Sequence, residues 1–225
     1  MKQDANLMTR VSESDRDPYL LRIHVILDDA LGETSGFRGN AANVDTKPND
    51  ASLSASGAAR ENSPKSTTVW NKLSLSADAL VSQIEAAVRA SAEHRGCWEG
   101  ELSVFVTDDA TIRTINQDHL NHDYATDVIS FGYELDPPFV EGELTVSLEM
   151  ALTQATVIGR EPFNELLMYV VHGTLHVTGM EDSTAADRHA MRAAERSVLL
   201  SLGVDDSDRF HADRFDALDG TGDDS

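Results

Sequence analysis

The feature that most constrains this chain is an apolar run that leads directly into two histidines four residues apart. The run at 165–171 contains no glycine or proline, so it predicts a buried helix. His172 and His176 follow it, and residues four apart on a helix point to the same side, one turn above the other. Gly179 predicts the end of this helix, because glycine readily adopts the left-handed conformation found beyond helix C-termini.

The residues after the helix bring a carboxylate back towards the two imidazoles. Asp182 follows Gly179 by three positions, and Glu181 is a neighbouring alternative. Two imidazoles and one carboxylate make a three-ligand metal site with a fourth position open to water, as in catalytic zinc sites. We therefore predict one Zn²⁺ per chain, bound on this helix and the following turn by His172, His176 and Asp182.

The same spacing occurs in long zinc-peptidase motifs, so a peptidase has to be considered. Those motifs place ligands at the first, fifth and eleventh positions and glycine at the eighth. They also need glutamate directly after the first histidine, as general base. Here that residue is Gly173, which cannot take a proton from water. A zinc-dependent peptidase is therefore the least favoured function.

Four segments of the sequence resemble the YbeY family of bacterial endoribonucleases. The histidine motif reads His-Gly-x-Leu-His-x-x-Gly, the segment 116–131 ends in Thr-Asp-Val-Ile-Ser-Phe, and 142–147 reads Gly-Glu-Leu-Thr-Val-Ser. Met191, Arg192 and Glu195 are similar to the family's terminal helix. The resemblance covers about residues 75–202. It implies a metal-dependent endoribonuclease for single-stranded RNA in small-subunit (16S) rRNA maturation and ribosome quality control. The implied partners are rRNA, the small ribosomal subunit and ribosome-associated proteins.

Two positions depart from the family pattern. The family's third metal ligand is usually histidine, and its register places Asp182 there rather than Glu181. A carboxylate oxygen is an accepted zinc ligand, although it shifts metal preference towards harder ions such as Mn²⁺ or Mg²⁺. The family also has an arginine before Thr-Asp-Val, thought to act on the scissile phosphate, and Leu120 occupies that position.

The loop and strands before the histidine helix supply the other candidate site residues. His122 and Asp127 are candidate catalytic residues, but the sequence assigns neither. Asp127 and Glu143 are also alternatives for a general base or for a carboxylate that supports a ligand imidazole. The candidates for contact with substrate are Thr126, Ser130 and His119.

Charge opposes an RNA-binding function. The formal net charge is −21, and residues 76–202 alone contribute −14. Phosphate recognition normally depends on lysine and arginine. The acidity and Leu120 therefore favour an alternative, a non-catalytic ribosome-assembly factor that is stabilised by its metal.

The remaining pattern predicts one α+β domain at 75–203, with a small mixed sheet of about four strands and about five helices. Residues 18–29 are predicted to form the first strand, and an alternative places that strand at 67–73. The segments predicted to be disordered are 1–17, a small-residue-rich insert at 30–74, and an acidic tail at 204–225. The chain has one cysteine and no apolar stretch of the ~20 residues that span a bilayer, so we expect a cytoplasmic protein without a membrane segment.

Overall fold

The computed structural model describes residues 20–28, 31, 73 and 75–204. These residues form a four-stranded mixed sheet and five helices, which confirms the predicted α+β fold. In chain order the elements are β1 Leu21–Leu27, α1 Ala77–His94, β2 Glu99–Thr107, α2 Asp109–Leu120, β3 Val128–Asp136, β4 Phe139–Ser147, α3 Leu148–Ile158, α4 Pro162–Val177 and α5 Ala185–Ser201. The predicted disordered segments, and the alternative first strand, lie largely outside the described residues: 1–17, 30–74 apart from Leu31 and Leu73, and 205–225.

The sheet has the strand order β1-β2-β4-β3. β2 pairs in parallel with β1 and with β4, whereas β3 and β4 form an antiparallel pair. In this register, Val104 of β2 pairs with Val25 of β1 on one side and with Leu144 of β4 on the other. β3 is therefore an edge strand, and its start follows the α2–β3 loop that contains Asp127.

Strand side chains alternate between two faces, and the two faces of this sheet differ in cover. One face packs against α1 and α4, with α5 packed on these two helices, and its β2 residues Leu102, Val104 and Val106 are fully buried. Helix α2 covers part of the opposite face, which also contains the exposed Ile26. The core consequently lies between the sheet and the three-helix layer that contains the histidines.

α4 is the central helix of that layer. It begins at Pro162, because proline suits a first helical position where no amide hydrogen bond is needed. Residues 165–171 are all buried, which fits the predicted core helix. No helix in the described part of the chain is long and apolar enough to cross a membrane.

A glycine allows α4 to approach the sheet closely just beside the histidines. A Cβ atom added to Gly173 would lie 2.4 Å from Leu144 Cδ2 and 2.8 Å from Val128 Cγ2. Ordinary carbon–carbon contacts are about 3.5–4.0 Å, so a side chain at this position would push the helix away from β3 and β4. The residue that removes the peptidase base is thus also one that the sheet packs against closely.

Candidate metal centre

Three side chains from the end of α4 and the following turn converge on one point. His172 Nε2 and His176 Nε2 are 3.1 Å apart. Asp182 Oδ2 lies 3.9 Å from the first of these nitrogens and 3.8 Å from the second. The structure therefore brings together the three residues predicted as metal ligands. One donor atom from each lies within 4.8 Å of the other two.

The donor set fits a divalent metal such as Zn²⁺. Bonds of about 2.0–2.1 Å in a tetrahedral arrangement place ligand atoms roughly 3.3 Å from one another. The observed separations, 3.1 to 3.9 Å, bracket that value. Asp182 is about half exposed, so its carboxylate has room to move the few tenths of an ångström that binding requires.

The outer nitrogens of both rings are held by hydrogen-bond acceptors. Nδ1 of His172 lies 2.7 Å from Oε1 of Glu195, and Nδ1 of His176 lies 2.8 Å from the carbonyl oxygen of Met180. A carbonyl oxygen and a carboxylate oxygen can each only accept a hydrogen bond. Nδ1 therefore carries the hydrogen in each neutral ring. Both Nε2 atoms are then left with a lone pair directed at the shared point, as metal ligation requires.

The protonation of His172 reflects competing effects. Burial lowers the pKa of this imidazole, but the hydrogen bond and negative charge of Glu195 raise it, and the charges of Asp127 and Asp182 add to that effect. The net pKa lies above the ordinary histidine value. Protons would therefore compete with a metal ion for this ring.

The turn that presents Asp182 is fixed by backbone contacts. Gly179 adopts a φ of 85°, and its amide donates to the carbonyl of His176 at 2.9 Å. Arg188 of α5 donates from Nη1 to the carbonyl oxygens of Asp182 and Ser183, at 3.2 and 2.8 Å. A capping box that starts with Thr184 then begins α5. The sequence prediction that Gly179 ends the histidine helix agrees with this geometry.

An open groove of about 420 Å³ adjoins the two histidines of the candidate site. Asp127 and Ser130 line it, and Leu120 lies on its wall. The Oδ1 atom of Asp127 accepts hydrogen bonds from Thr126 Oγ1 and from the Val128 amide, both at 2.9 Å. The full lining is Leu120, Asp127, Val128, Ile129, Ser130, Gly132, His172, His176, Val177 and Glu181.

Comparison with known proteins agrees with the sequence motifs and the geometry. The family model described as "Endoribonuclease YbeY" matches residues 66–203, which is more than half of the chain. This chain belongs to the YbeY family. The relative from Rhodopirellula baltica, named "Endoribonuclease YbeY", is 47% identical over 125 residues, covering 55% of this chain and 64% of that protein. The match therefore spans less than two thirds of that relative's length.

Two further relatives with the same name are covered more fully. The protein from Elusimicrobium minutum is 35% identical over 125 residues, with 54% of this chain and 87% of that protein covered. The protein from Azorhizobium caulinodans is 34% identical over 142 residues, with 61% and 88% covered. The residues that form the convergent site all lie inside the segment that matches the YbeY family model.

Other candidates from the sequence lie away from the three ligand atoms. His119 contacts the ring of Phe131 edge-on, in a second cleft on the α2 face of the sheet. Glu143 lines that same cleft, where its Oε2 accepts a hydrogen bond from the Tyr133 hydroxyl. His122 stacks on Tyr124 in the exposed α2–β3 loop. Of the carboxylates considered as general base, the groove of this YbeY-family chain thus contains Asp127 and not Glu143.

Glu195 is a site residue to which the sequence gave no role. It contributed to the family resemblance, but it lies 23 positions from the histidine that it contacts. One signal was available, because an acidic residue stands within the otherwise apolar stripe of α5. An acid on a buried helix face needs a partner in the core, and here the partner is His172.

Proposed function

We propose that this chain is a metal-dependent endoribonuclease that cleaves single-stranded RNA. The observation that carries the proposal is the convergence of three ligand atoms beside an open groove that also contains a carboxylate, Asp127. The name of its relatives, "Endoribonuclease YbeY", supports the choice of RNA as substrate.

The proposed site has distinct roles for its residues. His172, His176 and Asp182 would hold the ion. When bound there, Zn²⁺ supplies Lewis acidity, which polarises a phosphoryl oxygen and makes a nearby water more acidic. In the proposed hydrolysis, Asp127 accepts a proton from the attacking water as its oxygen bonds to phosphorus, the ester P–O bond breaks, and the leaving oxygen takes a proton from solvent and departs as a hydroxyl.

Neighbouring hydroxyl groups support this arrangement. Thr126 Oγ1 donates to Asp127 Oδ1, so it fixes the orientation of the proposed proton acceptor. Ser130 lines the groove, where its hydroxyl can donate to a phosphate oxygen. Both residues were substrate-binding candidates from the sequence, and we propose that Thr126 acts on Asp127 whereas Ser130 contacts RNA.

The biological setting of the proposed activity follows from the family. We propose small-subunit rRNA as the substrate, in 16S rRNA maturation and ribosome quality control, with the small subunit and ribosome-associated proteins as partners. The compartment would be the cytoplasm, where ribosomes assemble. One Zn²⁺ per chain is the proposed cofactor, and Asp182 favours a tolerance for harder divalent ions.

The lack of cationic side chains in the described part of the groove lining favours a second candidate function, a ribosome-assembly factor. None of the described residues that line the groove is lysine or arginine, and Leu120 occupies the position of the family's arginine. Phosphate binding then depends on the ion instead of side-chain cations. These observations favour the alternative of a metal-stabilised ribosome-assembly factor without catalysis. A peptidase has no base at Gly173, and that position has no room for a side chain.

The test is cleavage of single-stranded rRNA fragments by protein of known metal content. We expect cleavage by the wild type, loss of cleavage in His176→Ala, and at least a tenfold loss in Asp127→Asn, in line with general-base contributions of about 10²–10⁴. His189→Ala is the matched control, because His189 is exposed on α5, outside the residues that line the groove.

The other outcomes count against the nuclease. Equal cleavage by the wild type and His176→Ala would identify a contaminating nuclease. No cleavage by wild-type protein with one metal per chain would select the assembly factor. Cleavage of casein, with RNA left intact, would select the peptidase.

A further inference from the structure

We propose that Glu195 is a positioning residue of the metal centre: it holds His172 in its metal-binding tautomer and links the docking of α5 to metal binding. The inference deepens the proposed function and rests on its metal site. Glu195 touches neither RNA nor metal in this proposal, and it acts through the imidazole of His172.

The burial of Glu195 is the first argument. The residue is 4% exposed and belongs to the stripe of α5 that faces the core. A carboxylate removed from water is strongly destabilising unless hydrogen bonds compensate for the lost hydration. Its Oε1 atom lies 2.7 Å from Nδ1 of His172, a short distance typical of a strong hydrogen bond. The contact is therefore the structural reason for an acid at this core position.

The identity of the acceptor is the second argument. A carboxylate at this contact selects the tautomer with hydrogen on Nδ1, which leaves the Nε2 lone pair for the metal. Without Glu195, the neutral ring would be free to adopt the other tautomer and to rotate. Nε2 of His172 would then donate, and it would repel a cation instead of binding it.

The difference between the two histidines is the third argument. His176 is held by the carbonyl of Met180, in the turn that directly follows its own helix. His172 is held by a residue of another helix, α5. Metal bound at Nε2 makes the Nδ1 hydrogen a stronger donor, so the bond to Glu195 strengthens. Because coupling between two events is reciprocal, the contact of Glu195 with His172 in turn strengthens metal binding.

The experiment measures zinc affinity by competition with a chromophoric chelator, on folded, metal-stripped full-length protein. We expect Glu195→Ala to weaken zinc binding about 10–100-fold, the usual effect of losing such a partner. Glu195→Gln retains an acceptor oxygen, so we expect a smaller loss. Met191→Ala is the matched control, because Met191 is 2% exposed on the same face of α5. It should lower thermal stability and leave the zinc affinity of the folded protein within twofold of wild type.

A second measurement reads the tautomer directly. Long-range ¹H–¹⁵N spectra of ¹⁵N-histidine protein, without metal, should show His172 protonated at Nδ1 in the wild type and Glu195→Gln. In Glu195→Ala the Nε2-protonated form should gain population. If Glu195→Ala does not fold, a measurable loss of affinity in Glu195→Gln is the expected result.

The inference is overturned if Glu195→Ala binds zinc within twofold of wild type. It is also overturned if Met191→Ala weakens zinc binding as much as Glu195→Ala does. If Glu195→Ala does not fold, the inference is overturned when Glu195→Gln binds zinc like wild type. The proposed function fails separately. If zinc affinity depends on Glu195 but the wild type does not cut RNA, the nuclease is removed and the inference is kept. Metal-dependent cleavage with no effect of Glu195 on zinc affinity does the reverse.

Discussion

The close contact of α4 with the sheet makes Gly173→Ala an informative substitution. The added methyl carbon would lie 2.4 Å from Leu144 Cδ2, so the contact requires a shift of roughly 1 Å or more to reach an ordinary separation. Overpacking of this kind costs about 1–3 kcal/mol. Replacing glycine by alanine inside a helix stabilises the helix by about 1 kcal/mol through its higher helix propensity.

We therefore expect Gly173→Ala to destabilise the protein by about 1 kcal/mol, within a range of about 0–2 kcal/mol. The corresponding fall in Tm is about 2–4 °C. Urea unfolding followed by circular dichroism gives the free energy of unfolding, and a scan with metal removed gives the Tm without the contribution of bound ion.

A double-mutant cycle with Leu144→Val sharpens this prediction. Valine lacks the Cδ2 atom that is closest to the new methyl group, and the Cγ atom of Leu144 is already at an ordinary distance, 3.6 Å. In the Leu144→Val background, Gly173→Ala should thus be less destabilising, with a coupling free energy of about 1 kcal/mol, while the contact with Val128 Cγ2 at 2.8 Å retains part of the cost. If Gly173→Ala has the same sign and size in both backgrounds, the steric reasoning is wrong. Stabilisation in the wild-type background would refute it as well.

The remaining predictions concern the third ligand and two side chains outside the metal centre. Asp182→Ala should weaken zinc binding more than Glu181→Ala does, and the reverse order in chelator competition would show a wrong ligand register. The hydrogen bond to Glu143 raises the pKa of Tyr133, so absorbance at 295 nm should show one phenol titrating above the ordinary range, and Glu143→Gln should lower that pKa. Since this folded-state pKa is raised, the contact stabilises the fold below the unfolded pKa and is lost as pH rises through the folded pKa. Burial raises the pKa of the Cys97 thiol, and the charge of Arg95 partly opposes this effect. Disulfide reagents should therefore react slowly with this thiol in the native protein and fast after unfolding. Equal rates in the two states would refute the burial of Cys97.

The sequence predicted much of the candidate site because its ligands are close together in the chain. His172 and His176 share a face by helical period alone, and Gly179 marks the turn that returns Asp182. Local rules also explain two helix starts, since the side chains of Ser76 and Asp108 accept hydrogen bonds from the first-turn amides of α1 and α2. These features depend on interactions within a few residues, so they are readable before any tertiary contact forms.

Some candidates could not be placed from the sequence. His119 and Leu120 are adjacent, yet His119 lines the cleft on the α2 face and Leu120 lines the metal groove. Asp127 and Glu143 were both candidates for a base, and of the two Asp127 lines the groove whereas Glu143 lines the other cleft. Periodicity tells which residues of one element share a face, but it does not tell which face meets the metal.

The sequence by itself determined the α+β class, the pair of histidines on one helix face, the carboxylate that follows them, and the absence of a peptidase base at Gly173. Only the tertiary structure decided the strand order β1-β2-β4-β3, the need for glycine where α4 meets Leu144, and the partnership of Glu195 with His172. The physical reason is separation along the chain. Helix and turn preferences act over a few residues, whereas packing joins α4 to β4 and α5 only when the hydrophobic core assembles.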